Sequence, residues 1–147
     1  MSRRKARERA LQVLFQVDLG GVDPLEAFAQ MDEDYGKLEG SKDFTAELVL
    51  GVIEKSAFID GIISAISKDW SLDRIANVDR IIMRLALYEV FFCADIPNTV
   101  SVNEAIDLGK MYGGEESGKF INGILGKVIE NIEDYTPEKP IEQKNAT

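Results

Sequence analysis

Histidine is missing from this 147-residue chain, and cysteine occurs once, at Cys93. The first absence removes the commonest general base and the usual zinc ligand, which argues against most catalytic designs, though carboxylate-only or magnesium-dependent chemistry survives it. The second excludes an internal disulfide. Cys93 follows the apolar run Tyr88-Glu89-Val90-Phe91-Phe92, which points to a buried, inert thiol. No stretch reaches the ~20 apolar residues of a membrane helix. The basic N-terminus has no apolar signal core, because Arg7, Glu8, Arg9 and Gln12 interrupt it. No segment alternates with the period of a half-buried strand, and no internal repeat is visible. A cytoplasmic, non-enzymatic protein without metal or cofactor is expected.

What is present is an ordinary globular balance: 45% hydrophobic and 29% charged residues, enough for one domain with a real core. The net charge of −9 argues against nucleic acid until its distribution is considered. Within residues 1–9, Arg3, Arg4, Lys5, Arg7 and Arg9 face only Glu8. The rest of the chain carries 12 basic against 25 acidic residues. Charges beyond a Debye length of ~8 Å are largely screened, so a polyanion senses the local patch. The chain is polarised rather than uniformly acidic.

Helical periodicity dominates. From Arg3 to Leu19, residues Ala6, Ala10, Val13, Leu14 and Val17 form one apolar stripe. Arg4, Glu8, Leu11 and Phe15 form the adjacent row, which puts Phe15 on the arginine side as a stacking surface. Gly20-Gly21 stops this helix, and Asp23-Pro24 starts a second one through about Asp34. After a turn over Gly36–Gly40, Ser41 is expected to cap a helix that carries Phe44, Leu48, Val49, Val52 and Ile53 inward and continues to Ile66, with a bend or a close helix contact at Gly51 and Gly61. Ser71-Leu72-Asp73 reads as a short helical lead-in. Asn77 is then expected to cap a central helix, Val78 to Cys93, apolar on nearly every side. Ser101-Val102-Asn103-Glu104 fits a capping box, and its helix runs to Tyr112. Gly113-Gly114 precedes a last helix to about Ile132. Residues 1–132 form the helical domain; 133–147 are a polar tail expected to fray.

Two motifs are set aside. Gly113-Gly114-Glu115-Glu116-Ser117-Gly118-Lys119-Phe120 nearly matches a phosphate-binding loop. Phe120 replaces its magnesium-binding hydroxyl, two glutamates would repel a triphosphate, and a helix precedes it where a strand is required. Glu104 and Asp107 could be imagined holding magnesium, but the capping box accounts for the first and solvent for the second. The N-terminal cluster is more telling, because the helix dipole makes cations mildly unfavourable at that end. Exposed arginines that merely solubilise the helix remain the bland alternative.

Several segments go further. The run Val78-Asp79-Arg80-Ile81-Ile82-Met83-Arg84-Leu85-Ala86-Leu87-Tyr88-Glu89 resembles the central helix of the NusB family. So do Val102 to Leu108, Gly118 to Leu125, and the opening Arg-Arg-Lys-Ala-Arg-Glu, in consistent order over residues 2–132. The resemblance implies an all-α fold of six to seven helices in two packed three-helix bundles. It also implies transcription antitermination: binding of single-stranded boxA RNA in nascent ribosomal RNA leaders, together with the ribosomal protein NusE, within a complex that modifies RNA polymerase. By position, Arg3, Arg4, Lys5 and Arg7 would contact RNA, joined by Glu116, Lys119 and Phe120. Phe15 and Asp79 would face NusE. Phe15 stands where some relatives have tyrosine, and Asp79 is one methylene shorter than their glutamate. A homodimer that hides the RNA surface stays open, as do an rRNA-modification accessory role and a protein adaptor without RNA specificity.

Overall fold

A computed structural model describes residues 2–35, 42–67, 71–135 and 137. Among them are seven α-helices, two 3-10 turns and no strand, as the missing period-two pattern requires. The chain divides into two compact units at Glu54/Lys55. The expected Gly36–Gly40 turn, the Ser41 cap and most of the polar tail lie outside the described residues.

The first unit holds α1 (Arg3–Gly20), α2 (Pro24–Tyr35) and α3 (Lys42–Glu54). Ser2 starts α1 by accepting the Lys5 N–H at 3.2 Å, which satisfies one of the helix's orphan donors. Gly21 ends it in the left-handed region at φ 66, where a Cβ would be strained. Asp23 Oδ1 accepts the Leu25 N–H at 2.8 Å, with Pro24 in the first helical position that needs no donor. The core gathers Ala6, Ala10, Leu11, Val13 and Leu14 from α1, Ala27 and Met31 from α2, and Leu48, Val49 and Val52 from α3. Thr45, fully enclosed, donates its hydroxyl to the Ala6 carbonyl at 3.3 Å and so ties the start of α3 to α1.

The second unit holds α4 (Ser56–Ile66), α5 (Asn77–Phe92), α6 (Asn98–Gly113) and α7 (Glu115–Glu130). The 3-10 turns are Leu72–Arg74 and Ile132–Asp134. α5 packs against α4, α6 and α7, and it buries Ile81, Ile82, Met83, Leu85, Ala86 and Leu87. This is the central helix its all-round apolar surface predicts. Phe58 of α4 meets Phe91 and Phe92 of α5 edge-on at 5.4 and 5.8 Å, a favoured aromatic geometry. Cys93 is buried.

Three local expectations need correction. The single helix expected from Ser41 to Ile66 is two helices, broken at Lys55 (φ −100, ψ 14) and not at Gly51 or Gly61. Its apolar stripe serves two cores: Leu48, Val49 and Val52 with α1, then Ile59, Ile62 and Ile63 with α5 and α7. Asn77 is not a cap but the first residue of α5, where its Oδ1 accepts from Arg80 Nη2 at 2.7 Å. The same guanidinium donates through Nη1 to the Leu72 carbonyl at 2.9 Å, which pins the preceding turn. Nor does Ser101 open a capping box. α6 begins three residues earlier, behind Pro97, and the Ser101 hydroxyl donates to Glu89 Oε1 of α5 at 2.8 Å. Both side chains are buried, and a buried carboxylate needs such a donor. Glu104 therefore loses the capping role assigned to it.

α6 and α7 approach closely through glycine. A Cβ on Gly109 would lie 2.6 Å from Ile121 Cδ1 and 3.4 Å from the Gly118 backbone nitrogen. Ile121 is fully buried, so its tip can move only by displacing its neighbours. Gly109→Val is therefore expected to cost about 3 kcal/mol through overpacking, despite valine's better helix propensity. Chemical denaturation checks it, and an unchanged midpoint would show that the two helices can separate freely.

Candidate nucleic-acid interface

The predicted residues fall into a set on each unit. On the first, α1 starts with no acidic residue in its first turn, so the positive end of the helix dipole adds to the field of the basic side chains. Arg3 and Lys5 are exposed and Arg4 is half-buried. Arg7 differs: only 4% of it is accessible. An arginine so enclosed offers a phosphate little surface in this structure.

The aromatic partner of this cluster is also not the expected one. Phe15 is half-buried on α1, twelve residues and ~18 Å of helix beyond Arg3. The ring beside the arginines belongs to Phe44 of α3. The Arg3 guanidinium carbon lies 4.6 Å from its centroid and that of Arg7 5.6 Å, both within cation–π range. Spacing along α1 could not reveal this, because Phe44 arrives from another helix.

On the second unit, Glu116 and Lys119 share the exposed start of α7. Lys119 Nζ lies 3.8 Å from Glu116 Oε1, with side chains 74% and 92% accessible. Water screens such a pair, so the lysine remains available to a stronger anion. Phe120 is half-buried and turns to a hollow of about 200 Å³ lined also by Arg74, Ile75, Ala76 and Asp79. Asp79 and Phe120, assigned to different partners from sequence, thus line one hollow. Asp79 is 6% accessible, and its Oδ1 has no hydrogen-bond partner among the described residues. An unsatisfied buried acceptor is costly, so it favours a donor brought from outside the chain. Arg74 was not singled out from sequence; only its nearness to the Asp79 helix could have suggested it.

The phosphate-loop lookalike is settled by local geometry. α6 runs directly into Gly114 (φ 95), and Ser117 and Gly118 are buried in α7, so no open cradle of backbone amides forms. Among the described residues no cluster of three or more acidic or thiol side chains could hold a metal, and no helix is long and apolar enough to cross a membrane.

Known proteins are similar to this chain in sequence and fold. The transcription antitermination protein NusB of Pelotomaculum thermopropionicum is 63% identical over 137 residues, covering 93% of this chain and 95% of that protein. A solved structure of T. maritima NusB matches with a TM-score of 0.80 at 37% identity, covering 88% of this chain and 92% of that one. A crystal structure of the antitermination factors NusB and NusE in complex with double-stranded RNA matches with a TM-score of 0.79 at 32% identity, covering 88% and 96%. The model of the NusB family itself matches residues 4–130, all seven helices but for the first residue of α1. The chain belongs to the NusB family.

Proposed function

We propose that this chain is a transcription antitermination factor that binds boxA RNA of nascent ribosomal RNA leaders together with NusE, within a complex that modifies RNA polymerase. The observation that carries this reading is the exposed basic start of α1 on an otherwise acidic chain. Arg3, Arg4 and Lys5 supply phosphate contacts there. Lys119 supplies another on the second unit, and Phe120 offers a face on which an unstacked base rests. Glu116 tunes that contact by competing with phosphate for Lys119. Arg7 acts from beneath, as a buried charge rather than a ligand of RNA.

Phe15 and Asp79 are assigned to NusE. Support for Asp79 is its unsatisfied, buried Oδ1, which fits an N–H or ammonium donor from a partner protein. The related NusB–NusE structure contains double-stranded RNA; single-stranded RNA is preferred here because A-form duplex hides its base edges in a deep, narrow groove. The role is recognition, not catalysis.

A filter-binding titration tests the reading with three RNAs of one length: single-stranded boxA, a scrambled strand and a boxA duplex, each with and without NusE. The boxA strand is expected to bind at least tenfold more tightly than the scrambled one, a difference of about 1.4 kcal/mol. Equal binding of all three would leave a protein adaptor or a general RNA-modification accessory in its place.

A further inference from the structure

We propose that Phe44 is a positioning residue of the RNA site, its ring holding the Arg3 guanidinium ready for phosphate. The inference rests on the RNA-binding reading above. Arg3 and Arg7 stand one helical turn apart on α1, and both guanidinium carbons lie over the Phe44 ring, at 4.6 and 5.6 Å. Two like charges in the first turns of a helix repel each other and the helix dipole. The negative face of an aromatic ring offsets both effects.

The backbone that carries the ring is firmly placed. Its neighbour Thr45 is buried and bonded to the Ala6 carbonyl at 3.3 Å, and Ala6 lies between Arg3 and Arg7 in the chain. The start of α3 is therefore registered against the arginine cluster by a hydrogen bond and two ring contacts. Arg7, almost fully enclosed, forms the fixed side of this arrangement, and the exposed Arg3 the working side. With its carbon over the ring, the guanidinium keeps its planar fork of N–H donors, the geometry that phosphate oxygens require. An arginine already ordered loses less freedom on binding than one sampling many rotamers.

The test is a double-mutant cycle on the full chain, read by titration with single-stranded boxA RNA at one fixed salt concentration. Phe44→Leu keeps an apolar side chain but removes the π face, and is expected to weaken binding about two- to tenfold. Phe44→Tyr keeps the face and should bind as the wild type does. In an Arg3→Gln background, Phe44→Leu should have little further effect, because the residue it positions is gone. Thermal melts identify any variant that loses structure. A proton spectrum without RNA adds an independent readout: the upfield ring-current shifts of the Arg3 and Arg7 side chains should vanish in Phe44→Leu. Additive losses for Arg3→Gln and Phe44→Leu, or equal losses for the leucine and tyrosine variants, would overturn the inference. A wild-type chain that binds no RNA would overturn both this inference and the reading beneath it.

Discussion

Replacing Arg3, Arg4 and Lys5 together by glutamine is expected to weaken binding of single-stranded RNA about a hundredfold at 0.1 M salt. The magnitude follows from counterion release. Each cation that neutralises a phosphate of a single strand adds about 0.7 to the slope of log K against log salt, so three removed charges flatten it by about two. Folding should be almost untouched, since glutamine matches arginine and lysine in helix propensity. Relief of cations at the positive end of α1 opposes the loss of the Arg3–Phe44 contact, so the net change in stability should be small. Loss of affinity with a nearly unchanged Tm is therefore the expected signature. Arg7→Gln should behave in the opposite way: the side chain is enclosed, so its packing and charge contacts are lost on truncation. It should lower Tm more than the triple change does, while moving the salt slope little. If the triple variant keeps the wild-type slope, the start of α1 is not the phosphate-binding surface.

What sequence could and could not show divides along one line: whether the relevant neighbour is close in the chain. Gly21, Asp23 and Pro24 act through the backbone within a few residues of themselves, and the ends of α1 and α2 were legible. The all-round apolar character of α5 was equally local, and so was its burial. Ser101 misled because a serine followed three residues later by glutamate satisfies the capping-box pattern whether or not the helix begins there. Its hydroxyl instead meets Glu89, twelve residues back and on a different helix. The break at Lys55 leaves the apolar period intact, so no count of spacings could separate one bent helix from two. The basic cluster was legible as charge but not as geometry. That Arg7 turns inward and that Phe44, not Phe15, lies beside it both depend on how α3 crosses α1. Asp79 and Phe120 were each marked by resemblance, yet the hollow they share depends on where α7 packs along α5.

The same dependence on a distant partner governs the largest expected loss of stability from a polar residue. Arg84 of α5 meets Asp60 of α4 in a bidentate pair, Nε to Oδ1 at 2.7 Å and Nη2 to Oδ2 at 2.9 Å. Their side chains are 16% and 24% accessible, so water screens the pair far less than it screens Lys119 and Glu116. Burying a guanidinium is tolerable when its forked donors meet a carboxylate that fits them. Asp60→Ala removes that carboxylate and leaves the cation largely enclosed. A fully buried pair broken on one side costs 3–5 kcal/mol and an exposed one under 1, so about 2 kcal/mol is expected here. In a chain of this length that lowers Tm by roughly 4–8 °C. Asp60→Asn should lose less, because its amide oxygen still accepts one of the two hydrogen bonds. Arg84→Lys should lose nearly as much as Asp60→Ala, since an ammonium cannot span both oxygens. The decisive measurement is a cycle with Arg84→Met, which keeps much of the apolar stem. Once the arginine is gone, Asp60→Ala should cost at least 1 kcal/mol less than it does in the wild type. Equal costs in both backgrounds would mean that α4 is held to α5 by Phe58, Ile59, Ile62 and Ile63 alone.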